Sequence, residues 1–179
     1  MALSTTRIAS QSAYQWASAC LFAATAVILT ALGFEHIGDY QPCALCLQQR
    51  YAYYVGIPAL FVGLLLISLE LNRVAMIIFF LTAIGFLLNT ALGVYHSGVE
   101  WQFWEGPATC DSQALQPLSG GDKGLLNSIS SNKSFPSCGE PAWRFLGLSF
   151  AGWNVVVCIA LTIGCLKAAF ASSESTIAA

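Results

Sequence analysis

The chain has 179 residues, 56% of them hydrophobic and only 9% charged, with a formal net charge of −2 at pH 7. A soluble domain carries roughly 25% charged residues. This chain therefore cannot clothe a globular surface in charge, and much of it is expected to face a lipid bilayer, with no nucleic acid among its partners.

A bilayer crossing takes about 20 apolar residues at 1.5 Å rise each. The first uncharged run of that length is Tyr14 to Phe34. Arg7 precedes it as in a signal peptide, but the run is too long for an h-region and three more follow, so it reads as a retained helix. A short loop over residues 35–50 leads to the second run, Tyr51 to Leu69. Residues 70–73 leave room only for a tight turn, so the third run, Val74 to Tyr95, folds back on the second as an antiparallel hairpin. A long loop over 96–144 precedes the fourth run, Phe145 to Leu166. The expected fold is an all-α membrane protein, a four-transmembrane-helix bundle forming one membrane domain over residues 1–179. Both loops then emerge on one side, opposite the termini. Within the long loop, Ser119 to Ser134 is half Ser and Gly and reads as a flexible linker. "GLLNSI" inside it suggests one short surface helix, and Asn132-Lys133-Ser134 matches a glycosylation sequon.

Charge leans only slightly towards an orientation. The terminal side carries Arg7, Arg73 and Lys167, and the loop side carries Arg50, Lys123, Lys133 and Arg144. The cysteines decide it. Cys20, Cys158 and Cys165 fall inside helices and read as small hydrophobes. Cys43, Cys46, Cys110 and Cys138 all fall in the two loops, on one face of the membrane. Cysteines grouped in this way suggest disulfides, which persist outside the cytosol. The loops are expected to face an oxidising compartment, with the termini in the cytosol.

The stretch "PCALCLQQR" carries the chemistry. A four-cysteine zinc site would need thiolates on the oxidising side, and Cys110 and Cys138 lack zinc-site spacing, so no metal is expected. Structural staples in a membrane interaction protein are an alternative, although closing a two-residue gap restrains the unfolded chain little. A soluble thioredoxin centre needs a strand before its C-x-x-C, and no strand pattern is present. A membrane redox centre accounts for more. Pro42 sets the backbone before the second helix, whose first turn holds Cys43 and Cys46, where helix-end amides favour a thiolate. Arg50, four residues beyond Cys46, is expected to project from the same face and to stabilise that thiolate. The chain carries no nucleotide, haem or cluster fingerprint, so a lipid-soluble quinone is the oxidant within reach. His96, closing the third helix on the same face, is a candidate donor to a quinone oxygen.

These residues resemble the DsbB family of bacterial disulfide bond formation proteins. The likeness rests on "PCALCLQQR", "YHSG", "PATCD" and "CGEPAWRFLGL", together with four spans and four loop cysteines. The resemblance implies a multi-pass protein of the bacterial inner membrane, a thiol–quinone oxidoreductase that reoxidises a periplasmic DsbA-like protein. It implies that Cys43 and Cys46 form the pair coupled to quinone (ubiquinone or menaquinone) and that Cys110 and Cys138 form the pair facing DsbA. Arg50 and His96 fall where the family contacts quinone. Gln49 stands where some members have an acid, so the resemblance gives it no role.

Overall fold

The computed structural model describes residues 2–107, 110, 137–139, 141 and 143–177. The linker expected over 119–134, its short helix and the Asn132 sequon lie outside them. Four long helices are present: α1 (Ala2–His36), α2 (Ala44–Ser68), α3 (Asn72–Glu100) and α4 (Phe150–Ile177). Each holds a stretch long and apolar enough to cross a membrane. α1 packs on α2 and α4, α2 on α3, and α3 on α4, so the helices close into a ring.

The helices outrun the apolar runs because polar residues at a helix end can continue the hydrogen-bonding ladder outside the hydrocarbon layer. α2 starts at Ala44, seven residues before the expected Tyr51, and takes Gln48, Gln49 and Arg50 into its second turn. Cys43 starts it as an N-cap: its backbone is extended (φ −74°, ψ 170°) and its Sγ accepts the Cys46 N–H, as a serine hydroxyl would. α3 continues past Tyr95 to Glu100, which corrects the expectation that His96 closes it. That extra turn puts His96 and Glu100 on one helix face, four residues apart.

The fourth helix also begins later than expected. Residues Arg144–Phe145 (β1) and Leu148–Ser149 (β2) pair antiparallel, and α4 starts only at Phe150. The two turn residues between them, Leu146 (φ 52°) and Gly147 (φ 81°), both lie in the left-handed region that a two-residue hairpin requires. Two-residue strands are too short to give an alternating pattern, so the sequence offered no strand signal.

The core uses small residues for close helix approach. From α1 these are Ala13, Ala17, Cys20 and Ala24, and from α4 Cys158, Cys165 and Ala168. Gly56 lets the Phe86 ring lie against α2; a Cβ there would stand 2.8 Å from the ring. Large apolar side chains such as Phe22, Val55 and Leu88 point outward, as a lipid-facing surface demands. Deeper in the bundle, the Tyr53 hydroxyl donates to Asn154 Oδ1 (2.7 Å) and Asn89 Nδ2 donates to Cys158 Sγ (3.3 Å), tying α2, α3 and α4 together. Cys158, expected to be an inert hydrophobe, is thus also an acceptor.

Candidate redox site

At the loop end of the bundle, Cys43, Leu45, Val99, Cys110 and Cys138 form a second buried apolar cluster, which Cys46 and Leu92 border. All four loop cysteines therefore meet in one place, although up to 95 residues separate them in sequence. Cys110 and Cys138 are joined in a disulfide with their Cα atoms 5.3 Å apart. Bonded to each other, they offer no thiolates to a four-cysteine zinc site. Cys43 and Cys46 are free thiols with Sγ atoms 3.0 Å apart.

His96 comes to this pair from α3. Its Nε2 lies 3.6 Å from Cys43 Sγ, and it is only 2% exposed. Gln49 Nε2 lies 3.0 Å from His96 Nδ1. An amide NH2 can only donate, so Nδ1 accepts and the neutral ring carries its proton on Nε2, facing Cys43. On its other side, His96 Nε2 stands 3.9 Å from Glu100 Oε1. Arg50 is present beside the site, but its guanidinium pairs with Glu35 from the end of α1.

This arrangement relocates the thiolate expected on Cys46. Because α2 begins at Ala44, it is Cys43 that caps the helix and receives the free amide, while Arg50 turns to Glu35. The Cys46 hydrogen bond, helped by His96 and the Cys46 backbone N–H, lowers the Cys43 thiol to about 4 against the opposing effect of burial. Above that pH, Cys43 is the thiolate of the reduced pair. Alkylation of Cys43 in reduced protein should therefore be nearly flat between about pH 6 and 8, where an ordinary thiol gains roughly tenfold per unit. His96→Ala removes a stabilising donor, raises the Cys43 pKa and should slow alkylation at the acid end of that range. A steep, ordinary thiol profile in the unsubstituted protein would contradict the assignment.

A cavity of about 510 Å³ opens beside the pair. Its wall includes Cys43, Cys46, Arg50, His96 and Cys138, and its apolar sides include Phe34 and Trp153. A flat, mostly apolar molecule with one or two oxygen acceptors fits such a space. The residue-by-residue reading singled out Cys43, Cys46, Arg50, His96, Cys110 and Cys138, and the structure brings all six to one end of the bundle. It missed Glu35, Gln49 and Glu100. Of these, only Glu100 had a signal in the sequence, its four-residue spacing from His96, and that signal depends on α3 continuing past Tyr95.

The family description "Disulfide bond formation protein DsbB" matches residues 13–168. The chain belongs to the DsbB family. It is 31% identical to disulfide bond formation protein B of Escherichia coli (strain K12) over 147 residues, which is 79% of this chain and 77% of the relative. The same protein from Escherichia coli O1:K1 / APEC is 32% identical over the same shares. An uncharacterised protein of Rickettsia prowazekii (strain Madrid E), RP370, is 29% identical over 138 residues, 75% of this chain and 74% of that one. As a DsbB-family member with four membrane-spanning helices, the chain is a multi-pass membrane oxidoreductase with a role in disulfide formation.

Proposed function

We propose that this chain oxidises a soluble dithiol protein of the DsbA type and passes the electron pair to a membrane quinone. The observation that carries the reading is the meeting of both cysteine pairs in one buried cluster, with Cys43, Cys46 and Cys138 all on the wall of one cavity. A purely structural role would not leave the C-x-x-C as two free thiols beside a histidine. The cavity suits a quinone: its sides are apolar, and its wall includes the polar side chains of Arg50 and His96, which would hold the ring oxygens. When bound, a quinone supplies a sink for two electrons and two protons.

The chain's own residues carry the relay. A partner thiolate attacks Cys110, forming a mixed disulfide and releasing Cys138 as a thiolate; that Cys110 is the sulfur attacked rests on the family likeness. Cys138 then attacks Cys43 of the oxidised C-x-x-C, the inner S–S bond breaks, and Cys46 leaves and takes up a proton. Cys43 is taken as the target because it belongs to the same buried cluster as Cys138, which Cys46 only borders. The partner's second thiolate resolves the mixed bond, releasing oxidised partner and a Cys110 thiolate. That thiolate re-forms Cys110–Cys138 and leaves Cys43 and Cys46 reduced. The electron pair has moved inward, and this product has the bonding pattern of the structure. Arg50, held by Glu35, and His96, held by Gln49, keep their donors fixed at the cavity.

The direct test is reduction of a short-chain quinone by a reduced DsbA-type protein, which should require this chain in detergent or vesicles. Quinone reduction at the background rate would overturn the reading. The proposed setting is the bacterial inner membrane, with cysteines periplasmic and termini cytoplasmic, because the disulfide needs an oxidising compartment. A membrane-impermeant thiol reagent should label the loop cysteines in reduced intact cells; labelling only after lysis would reverse the orientation.

A further inference from the structure

Glu100 is an acid in an unusual place. It ends α3, is only 8% exposed and lines the cavity beside the cysteines. Its Oε1 lies 3.9 Å from His96 Nε2, and among the described residues its buried Oε2 has no hydrogen-bond partner. The groups facing it are few. His96 shares its helix, Cys43 and Cys46 face it from the start of α2, and Arg144 and the Ser149 hydroxyl face it from the hairpin. The relay assigned above does not use this carboxyl group.

His96 offers one N–H, on Nε2, because Gln49 occupies Nδ1. Two anions compete for that N–H: the Cys43 thiolate at 3.6 Å and the Glu100 carboxylate at 3.9 Å. Two buried anions sharing one donor are unfavourable at this depth, because each lacks the solvation that water would give it. We propose that Glu100 holds a proton for the dithiol, so that the site keeps a single negative charge that moves between Glu100 and Cys43 with redox state.

The balance is as follows. With Cys43 and Cys46 joined, the disulfide is neutral, Glu100 is a carboxylate and the His96 N–H faces it. On reduction the pair gains two electrons and two protons: Cys46 takes one proton, Glu100 takes the other, and Cys43 is left as the thiolate facing the His96 N–H. On reoxidation the S–S bond forms, and Cys46 and Glu100 release both protons with the electron pair. No net charge is created in the buried site in either direction. Gln49 acts as a positioning residue, because its NH2 keeps the ring proton on the nitrogen that both anions face.

This inference rests on the reading that Cys43 and Cys46 cycle between disulfide and dithiol, and its test separates the two ideas. The full-length protein, solubilised without added quinone, is reduced with a small dithiol and its infrared difference spectrum is recorded beside a thiol count. The expected spectrum gains a protonated-carboxyl band on reduction, which shifts in heavy water. That band should vanish in Glu100→Gln and return in Glu100→Asp, which keeps the acid. With Glu100→Gln, the site takes up one proton on reduction instead of two, so at neutral pH one of the two protons given up by the small dithiol should be released to the medium for each pair reduced, whereas the unsubstituted protein takes up both. A reduced pair with no such band, or a band unchanged in Glu100→Gln, overturns the role of Glu100 and leaves the cysteine relay standing. A C-x-x-C that cannot be cycled at all overturns both.

Discussion

Replacing Cys138 with serine is expected to lower dithiol-driven quinone reduction by at least roughly a thousandfold, the scale on which loss of a covalent nucleophile is felt. Cys110 then stands as a lone thiol that can capture the oxidised partner in a mixed disulfide but cannot hand electrons inward. Cys43 and Cys46 remain in place, yet Cys43 is buried in a cluster that Cys46 borders, out of reach of a folded partner. In the complementary variant Cys46→Ser no inner disulfide can form; the Cys43 thiolate should instead attack the Cys110–Cys138 disulfide at Cys138, releasing the Cys110 thiolate and leaving a Cys43–Cys138 bridge that mass spectrometry can detect and that blocks turnover. Full turnover after replacing both Cys110 and Cys138 would remove the outer pair from the pathway.

Arg50→Ala is expected to weaken binding of a short-chain quinone about ten- to a hundredfold. A hydrogen bond to a charged group contributes about 1.5–3 kcal/mol, and each 1.4 kcal/mol is a factor of ten. The guanidinium is mostly buried, at 12% side-chain exposure, and it is paired with Glu35, so it is not an arginine reaching outward to anchor a helix end. Truncation removes a donor from the cavity wall and also leaves Glu35 without its partner. Arg50→Lys keeps the charge but loses the planar fork, and should fall between the two. Trp143 and Trp153 both line the cavity, so quenching of their fluorescence by quinone gives the affinity directly. An alanine variant with unchanged affinity would return Arg50 to a structural role alongside Glu35.

The Cys43 environment shows why a residue list and a site differ. The nine residues "PCALCLQQR" were enough to single out both thiols and the cation, because C-x-x-C chemistry and helix-end electrostatics are local properties. They were not enough to say which sulfur bears the charge. That depends on one register decision, whether the helix begins at or after Cys43. Beginning at Ala44 makes Cys43 the cap and gives it the Cys46 amide. In an isolated helix Arg50, four residues on, would face Cys46, but the carboxylate of Glu35 on the neighbouring helix claims it. The late start of α4 has a similar origin: the Leu146–Gly147 turn is settled by two backbone conformations that an apolar run does not announce.

By itself the sequence determined the number of spans, their antiparallel order and the common face of the four loop cysteines. Each of these follows from hydrophobic length or from counting crossings between residues, and neither needs a contact between distant positions. Tertiary packing alone decided which polar groups complete the site. Glu35 meets Arg50 across 15 residues, Gln49 meets His96 across 47, and Cys43 meets His96 across 53. A buried polar group must find its partner wherever the folded helices bring one within reach, and no spacing along the chain encodes that meeting.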